Sequence, residues 1–330
     1  MSFFYKKLMW VILGCWLVAD VAAAPRPGYY AGAAGKSGTN LLAALHAVVS
    51  SGTTNIPYSS SSKFDTSDAL KWIDENPANT NEVILIYSGL TDVKSAFGLT
   101  TGWNREHCWP NSYGLDDVEP SFSDLHNLHA IDSNVNSSRG NKVYDESSAS
   151  DGTVTIPAHV EAPGCSADPN SWQPADIHVG DAARTVLYMA TRYWGDRLNE
   201  PPLFLTEDPN AATSTTNLMG KLSTLLYWHA LDPVSDSERL RNDRVEALQG
   251  NRNPFVDHPE FVTAIWGDIT ALRVVKTNQT LTLSWTNSLR RAVLESSSTV
   301  TGQWSQAVSE TDRFILGSTN QAQFFRLRLK

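Results

Sequence analysis

The spacing of apolar residues changes near residue 271, and this change limits the chain to a mixed architecture. Before it, apolar residues recur at helical spacing, apart from one apolar run at 83–88 that favours a buried strand. After it, short segments alternate or run as strands between Ser, Thr, Asn and Gly turns. The predicted helices are 39–49, 66–74, 181–194, 217–229, 236–249 and 258–266. The predicted late strands are 280–285, 292–297, 303–308, 313–317 and 323–329.

We therefore predict an α+β chain in which a mainly helical domain at 24–270 precedes a small all-β module at 271–330. The module carries eight basic and three acidic side chains, a net charge of +5, whereas the segment before it carries −15. Such an acidic domain is not a typical nucleic-acid binder. The basic module is a candidate for holding nucleic acid, a polysaccharide or the cell surface.

The first 23 residues are typical of a secretory signal peptide. Lys6 and Lys7 precede an apolar run from Leu8 to Ala19, and small residues at 21 and 23 predict cleavage after Ala23. No later stretch approaches ~18 consecutive apolar residues. We expect a secreted or periplasmic protein that does not sit in the membrane once the signal is removed.

Two cysteines follow the signal segment, Cys108 and Cys165. In an oxidising compartment an even pair predicts one disulfide. The alternative is two free, buried thiols, because the sequence does not show that their Cα atoms come close enough.

Residues of the types needed to hydrolyse a phosphodiester lie close together in two segments, WNREHCWP (103–110) and SDLHNLHAIDSNVNSSRGN (123–141). That reaction requires an activated water and neutralisation of the phosphoryl charge. His107 can take the proton of the water. Glu106 and Asn136 can supply oxygen ligands to a hydrated divalent ion such as Mg²⁺, and Arg139 can clamp phosphoryl oxygens.

Neighbours in a regular strand face opposite sides, which constrains how Glu106 and His107 can serve one site. The backbone must bend there or the strand must end, and Pro110 favours an ending. Asn136 then has to come from a second element, which we expect to be a short helix packed against the hairpin.

The order REHCWP, SDLHNL and VNSSRGN resembles the bacterial endonuclease I family. The similarity continues through GDAARTVLYMATRYWGD (180–196) and the segment 225–261, and spans roughly 38–267. This resemblance implies a ββα-metal finger, also called a His-Me finger, within a secreted or periplasmic nuclease. It also implies non-specific cleavage of DNA, and often RNA, with magnesium, for which manganese or calcium can substitute.

Carried over by position, Glu106 matches the metal-ligating acid of that family and His107 its general base, leaving 5′-phosphate ends. Asn136 matches the second metal ligand. The phosphate-clamping arginine is Arg139 or Arg105, and we favour Arg139. The supporting residues that brace the finger are Asp124, His126 and Asn127.

Two other functions fit parts of the sequence. His126 and His129 are spaced i,i+3, so on a helix they would share one face and could bind zinc. The protein would then be a zinc phosphoesterase. A degenerate finger would leave a non-catalytic secreted binding protein. The preference between DNA and RNA, and between single and double strands, stays open at this stage.

Overall fold

The computed structural model describes residues 24–267 except 116, 150 and 151, together with short stretches of the C-terminal part. Those stretches are 273–277, 280–284, 292–299, 301–308, 313–317 and 323–329. The predicted signal peptide at 1–23 and the predicted domain boundary at 270 and 271 lie outside the described residues. None of the described helices is long and apolar enough to cross a membrane.

Helices form at most of the positions that apolar spacing predicts. The α-helices are α1 (Gly38–Val49), α2 (Thr66–Ile73), α3 (Ser133–Arg139), α4 (Val179–Arg192), α5 (Leu222–Leu231), α6 (Asp236–Gln249), α7 (Pro254–Asp257) and α8 (Glu260–Trp266). Helix α6 shows why local sequence is informative: Ser235 and Glu238 form a capping box, and Gly250 ends the helix with φ 88°.

The strands are short and belong to several small sheets. They are β1 (Glu75–Asn76), β2 (Asn79–Ile84), β3 (Thr91–Val93), β4 (Trp103–His107), β5 (Leu128–Asp132), β6 (Val143–Tyr144), β7 (Ser166–Ala167), β8 (Ser171–Gln173), β9 (Phe204–Thr206), β10 (Leu218–Gly220), β11 (Arg273–Thr277), β12 (Thr280–Ser284), β13 (Ala292–Ser297), β14 (Ser305–Val308), β15 (Arg313–Gly317) and β16 (Phe324–Leu329). The mixed helix and strand content confirms the α+β class.

Two of the predicted elements are wrong in part. The helix expected at 217–229 begins only at Leu222, because Leu218–Gly220 forms β10 and pairs in parallel with β9. A Cβ on Gly220 would lie 2.4 Å from the Thr206 carbonyl oxygen, so this close pairing needs glycine. The strand expected at 83–88 ends at Ile84, and Tyr87 turns the chain with φ 73°.

The described C-terminal residues form two antiparallel three-stranded sheets, ordered β11-β12-β15 and β14-β13-β16. Strand β11 is an addition to the strands that the sequence pattern predicts. The independence of this segment as an all-β module stays a prediction, because parts of 268–330 lie outside the described residues.

The arrangement that positions the site is β4, β5 and α3. Strands β4 and β5 pair antiparallel, with Trp103 opposite Asp132 and Glu106 opposite His129. Helix α3 follows β5 directly, and the Asp132 carboxylate caps its start by accepting hydrogen bonds from the amides of Asn134 and Val135. The strand pair and helix expected from the sequence are therefore present.

This strand pair separates two hydrophobic cores. Ile131 of β5 and Val135 of α3 belong to the larger core, which is built around the almost fully buried helix α4. Leu128 and Ala130, whose side chains alternate to the other face, belong to the smaller core. Burial on both faces holds the register firmly, since a slip of one residue would exchange the two sets.

Both cysteines are free and buried, so the expected disulfide is absent from the structure. Their sulfur atoms contact opposite ends of one residue. The Cys165 thiol donates to the Tyr87 carbonyl oxygen at 3.3 Å, whereas the Cys108 sulfur lies 3.8 Å from the Tyr87 hydroxyl oxygen. The body of Tyr87 keeps the two sulfur atoms apart.

We expect alkylation of the urea-unfolded, unreduced protein to modify both Cys108 and Cys165, because no bond joins them. Peptide mass spectrometry would count the modified sites. A parallel sample that is reduced first should give the same count, and labelling that appears only after reduction would show that a disulfide forms.

Candidate functional site

Strand β4 presents different residues to its two faces and leaves one edge to α3. The Cys108 amide donates to the Asn127 carbonyl at 3.1 Å, so this amide and the backbone groups of residues 104 and 106 face the partner strand. The carbonyls of Arg105 and His107 therefore point away from β5. Helix α3 covers this edge.

Glu106 is buried beneath that edge, with 1% of its surface exposed. Its Oε1 accepts a hydrogen bond of 2.6 Å from the Tyr87 hydroxyl and lies 3.1 Å from Arg139 Nη1. Burial raises the pKa of Glu106, while Arg139 and the Tyr87 hydrogen bond act to lower it. Both contacts fall on Oε1, which leaves Oε2 as the oxygen that can face a cation.

Asn136 reaches the same edge from the middle of α3. Its amide nitrogen donates to Asn104 Oδ1 at 2.7 Å and to the Arg105 carbonyl at 3.1 Å. Since both amide hydrogens are used, its carbonyl oxygen is the atom left for a ligand. The structure thus brings Asn136 beside β4 as predicted, one helical turn before the Arg139 side chain that contacts Glu106.

His107 faces the opposite side of β4 and is half-buried. Its Nε2 lies 2.8 Å from the Phe122 carbonyl oxygen, and its ring stacks on Phe122 and Tyr58 at 4.8 and 5.5 Å between centroids. A carbonyl only accepts, so Nε2 carries the hydrogen and Nδ1 keeps its lone pair. Burial lowers the pKa of His107 to about 4, so the ring is neutral at pH 7.

The loop that carries Phe122 is tied down by Glu119. The Glu119 carboxylate accepts hydrogen bonds from the Tyr58 amide and the Asn55 side chain, and Ser123 donates to Asn55 Oδ1 at 2.8 Å. These contacts hold the carbonyl that orients the imidazole.

Arg139 does not occupy the position expected of a phosphate clamp. It is 1% exposed, and its guanidinium donates to the carbonyls of His107 and Cys108 at 3.0 and 2.8 Å besides pairing with Glu106. These contacts bury the side chain under the edge of β4, so in this conformation it does not face a bound phosphate. Arg139 joins α3 to the strand.

Arg105, the second candidate, lies on the same face as His107 and is half-buried. Its guanidinium stacks 3.7 Å from the Tyr58 ring centroid and donates to the Tyr58 carbonyl, Thr66 Oγ1 and Ser59 Oγ. Among the residues that the structure describes, no carboxylate lies within ion-pair distance of Arg105. Its charge is therefore available to a bound anion.

Asp124, His126 and Asn127 lie where the chain enters β5 and make buried hydrogen bonds there. Asp124 is buried and accepts hydrogen bonds from Tyr188, Tyr193, Gln249 and the His126 amide. Asn127 binds both backbone groups of Trp109, accepting from the amide at 2.7 Å and donating to the carbonyl at 3.1 Å. These contacts hold the ends of β4 and β5 together.

His126 and His129 do not form a helical pair, because His126 lies in a turn and His129 in β5. Their Nε2 atoms lie 3.2 Å from the Asn251 carbonyl and 3.4 Å from Thr185 Oγ1. The described part of the chain holds no cluster of three or more His, Cys, Asp or Glu side chains placed for a metal. The spacing argument for a zinc pair therefore fails, because the two histidines do not share a helix face.

Several residues at the site escaped the sequence analysis. Asn104 could have been found, since it lies two positions before Glu106 and alternation places it on the same face. Tyr87 and the Phe122 carbonyl gave no local signal, because their roles depend on long-range folding. Tyr144, whose hydroxyl lies 2.5 Å from that of Tyr87, is still more remote in sequence from Glu106.

A family model described as Endonuclease I matches residues 37–260. The extracellular ribonuclease of Bacillus amyloliquefaciens is 42% identical over 241 residues, which cover 72% of this chain and 78% of that protein. The extracellular ribonuclease of Bacillus subtilis (strain 168) has the same identity and coverage.

Acid is expected to weaken the support of the site through His126. Burial lowers its pKa to about 4, below the ordinary 6.5, so the unfolded state binds more protons between these values. The free energy of unfolding should therefore fall as pH decreases from 6.5 to 4, by up to about 1.4 kcal/mol per pH unit from this group. Urea unfolding across this range would measure the slope, and His126→Asn should flatten it. Equal slopes in wild type and His126→Asn would contradict this account.

Proposed function

The chain belongs to the endonuclease I family and is a nuclease, and we propose that it is a secreted, magnesium-dependent endonuclease that hydrolyses phosphodiester bonds of RNA and DNA. Secretion is supported by the relatives named extracellular ribonucleases and by the signal-like residues 1–23. The ribonuclease names support action on RNA, and the resemblance of the motifs supports action on DNA.

The observation that carries the proposal is the state of His107. A carbonyl oxygen fixes its Nε2–H, stacking rings hold its orientation, and burial keeps it neutral. A half-buried imidazole with a free Nδ1 lone pair is a general base. It lies on the same face of β4 as Arg105, whose charge has no acidic partner among the described residues.

The residues at the β4 edge fit a hydrated magnesium ion. Glu106 Oε2 and Asn136 Oδ1 are hard oxygen donors, and a two-ligand site completed by water suits magnesium rather than zinc. When bound, the ion supplies positive charge that stabilises the phosphoryl oxygens and the leaving oxygen. With this ion, β4, β5 and α3 form the ββα-metal finger that the resemblance implies.

In the proposed reaction, Arg105 and His107 have separate roles. Arg105 binds phosphoryl oxygens and orients the phosphodiester, and His107 Nδ1 accepts the proton of the water that attacks phosphorus. The bond from phosphorus to the 3′-oxygen breaks, the 3′-oxygen takes a proton from solvent and leaves as a hydroxyl, and the phosphate stays on the 5′-oxygen. This chemistry makes no use of a 2′-hydroxyl, so RNA and DNA are both substrates.

His107→Ala should lower the rate of cleavage of RNA and plasmid DNA by about 10² to 10⁴-fold, because the general base is lost. Gel assays with magnesium would measure the rate, and EDTA should abolish cleavage by the wild type. His159→Ala, a change at a histidine away from the site, should match the wild type. Near-normal cleavage by a folded His107→Ala protein would remove the mechanism.

Measurements of activity and of stability should distinguish the roles of Arg105 and Arg139. Arg105→Ala should lower kcat/KM by about 10 to 100-fold, the loss of one charge-assisted contact, and should lower the free energy of unfolding by less than Arg139→Ala does, because Arg105 has no buried ion pair. Arg139→Ala should instead lower the free energy of unfolding by about 3–5 kcal/mol, since it leaves Glu106 buried without its partner. Unchanged unfolding in Arg139→Ala together with lost activity would restore Arg139 as the clamp.

A further inference from the structure

A closed surface loop stands beside the candidate site, and its exposed tip takes no part in the proposed chemistry. It runs over residues 58–66, with sequence YSSSSKFDT. Its ends meet where the Thr66 amide donates to the Pro57 carbonyl at 3.1 Å and the Thr66 hydroxyl donates to the Tyr58 carbonyl at 2.8 Å. We refer to residues 58–66 as the serine loop.

The serine loop is held in shape from within. Asp65 accepts the Ser60 amide at 2.9 Å and the Ser67 amide at 2.8 Å. The Ser60 hydroxyl oxygen accepts the amides of Ser62 and Lys63 at 3.3 and 3.0 Å. The loop is thus organised before any ligand binds, which reduces the entropy that a partner must overcome.

The tip of the loop presents hydroxyls, a charge and an aromatic ring to solvent. Ser61, Ser62 and Lys63 are exposed, and Phe64 is 49% exposed. Within the described residues no carboxylate pairs with the Lys63 ammonium group. The segment that contains the loop has a net charge of −15, so Lys63 places a positive charge on an otherwise acidic part of the chain.

The base of the loop adjoins the residues that bind the scissile phosphate in the proposed function. Arg105 donates to Thr66 Oγ1 at 3.0 Å and to Ser59 Oγ at 3.1 Å. Tyr58, the first loop residue, stacks on both Arg105 and His107. A nucleic-acid strand that continues from the bound phosphate toward Tyr58 therefore passes along the serine loop.

We infer that the serine loop is a binding subsite for single-stranded nucleic acid, in which Lys63 and the serine hydroxyls contact phosphates while Phe64 stacks on an unpaired base. Lysine and serine are common phosphate ligands. An aromatic ring can stack only on a base whose face is free, as in a single strand. This inference rests on the proposed function and gives it a preference for single strands over duplexes.

The test measures binding without cleavage. Fluorescence anisotropy in EDTA would follow the full chain with labelled single-stranded DNA, single-stranded RNA and duplex DNA of equal length. Wild type should bind both single strands about 5 to 100-fold more tightly than the duplex, and Phe64→Ala should remove most of that ratio. Lys63→Ala should lower the salt dependence of single-strand binding by about 0.7 in the log-log slope.

The controls are matched in chemistry and lie elsewhere. Phe204 is 55% exposed and Lys36 is exposed, so Phe204→Ala and Lys36→Ala should leave the single-strand to duplex ratio and the salt slope unchanged. A Phe64→Ala protein that keeps the wild-type ratio overturns the inference. So does a wild type that binds the duplex as tightly as single strands.

Failure of the inference and failure of the proposed function give different results. Cleavage that persists in His107→Ala removes the proposed function, and the anisotropy still reports on the loop. If cleavage depends on His107 but Phe64→Ala does not change the single-strand to duplex binding ratio, only the inference about the serine loop fails. If Phe64→Ala and Lys63→Ala weaken the binding of single-stranded DNA and RNA equally, the loop contacts phosphates and bases. If they weaken the binding of RNA alone, the loop also contacts the 2′-hydroxyl.

Discussion

The rest of the site depends on the buried ion pair between Arg139 and Glu106. Taking both charges out of water costs several kcal/mol each unless other polar groups compensate. Here the guanidinium also donates to the carbonyls of His107 and Cys108, and Glu106 accepts from Tyr87. These partners satisfy the outer edge of β4, which would otherwise leave unpaired carbonyl groups under α3. One side chain therefore joins the helix to the strand and places a carboxylate oxygen at the edge.

Sequence reasoning succeeded where the cause is local. Helix α6 has a capping box at Ser235 and a left-handed glycine at 250, so both ends follow from neighbouring residues. Sequence reasoning failed where contacts between residues far apart in the chain determine the local structure. Gly220 pairs beside Thr206, which converts the first turn of an expected helix into β10. The disulfide failed for the same reason, since Tyr87 stands between two thiols that composition alone would pair.

The site shows the same division. Residue types and order point to Glu106, His107 and Asn136, but not to the depth at which each side chain lies. Arg139 and Arg105 are both arginines close to the motif, yet one is buried among carbonyls and the other stacks on Tyr58 without an acidic partner among the described residues. Which of them can meet a phosphate is decided by packing partners 30 or more residues away in sequence, as with Tyr58.

The end of strand β4 bears on the difficulty that alternation raises. Glu106 and His107 face opposite sides of β4, so no pocket on a single face could contain both. Strand β4 ends at His107, however, and helix α3 places Asn136 and Arg139 against its last residues. Adjacent acid and imidazole residues are therefore compatible with one site where the strand that carries them ends beside a helix.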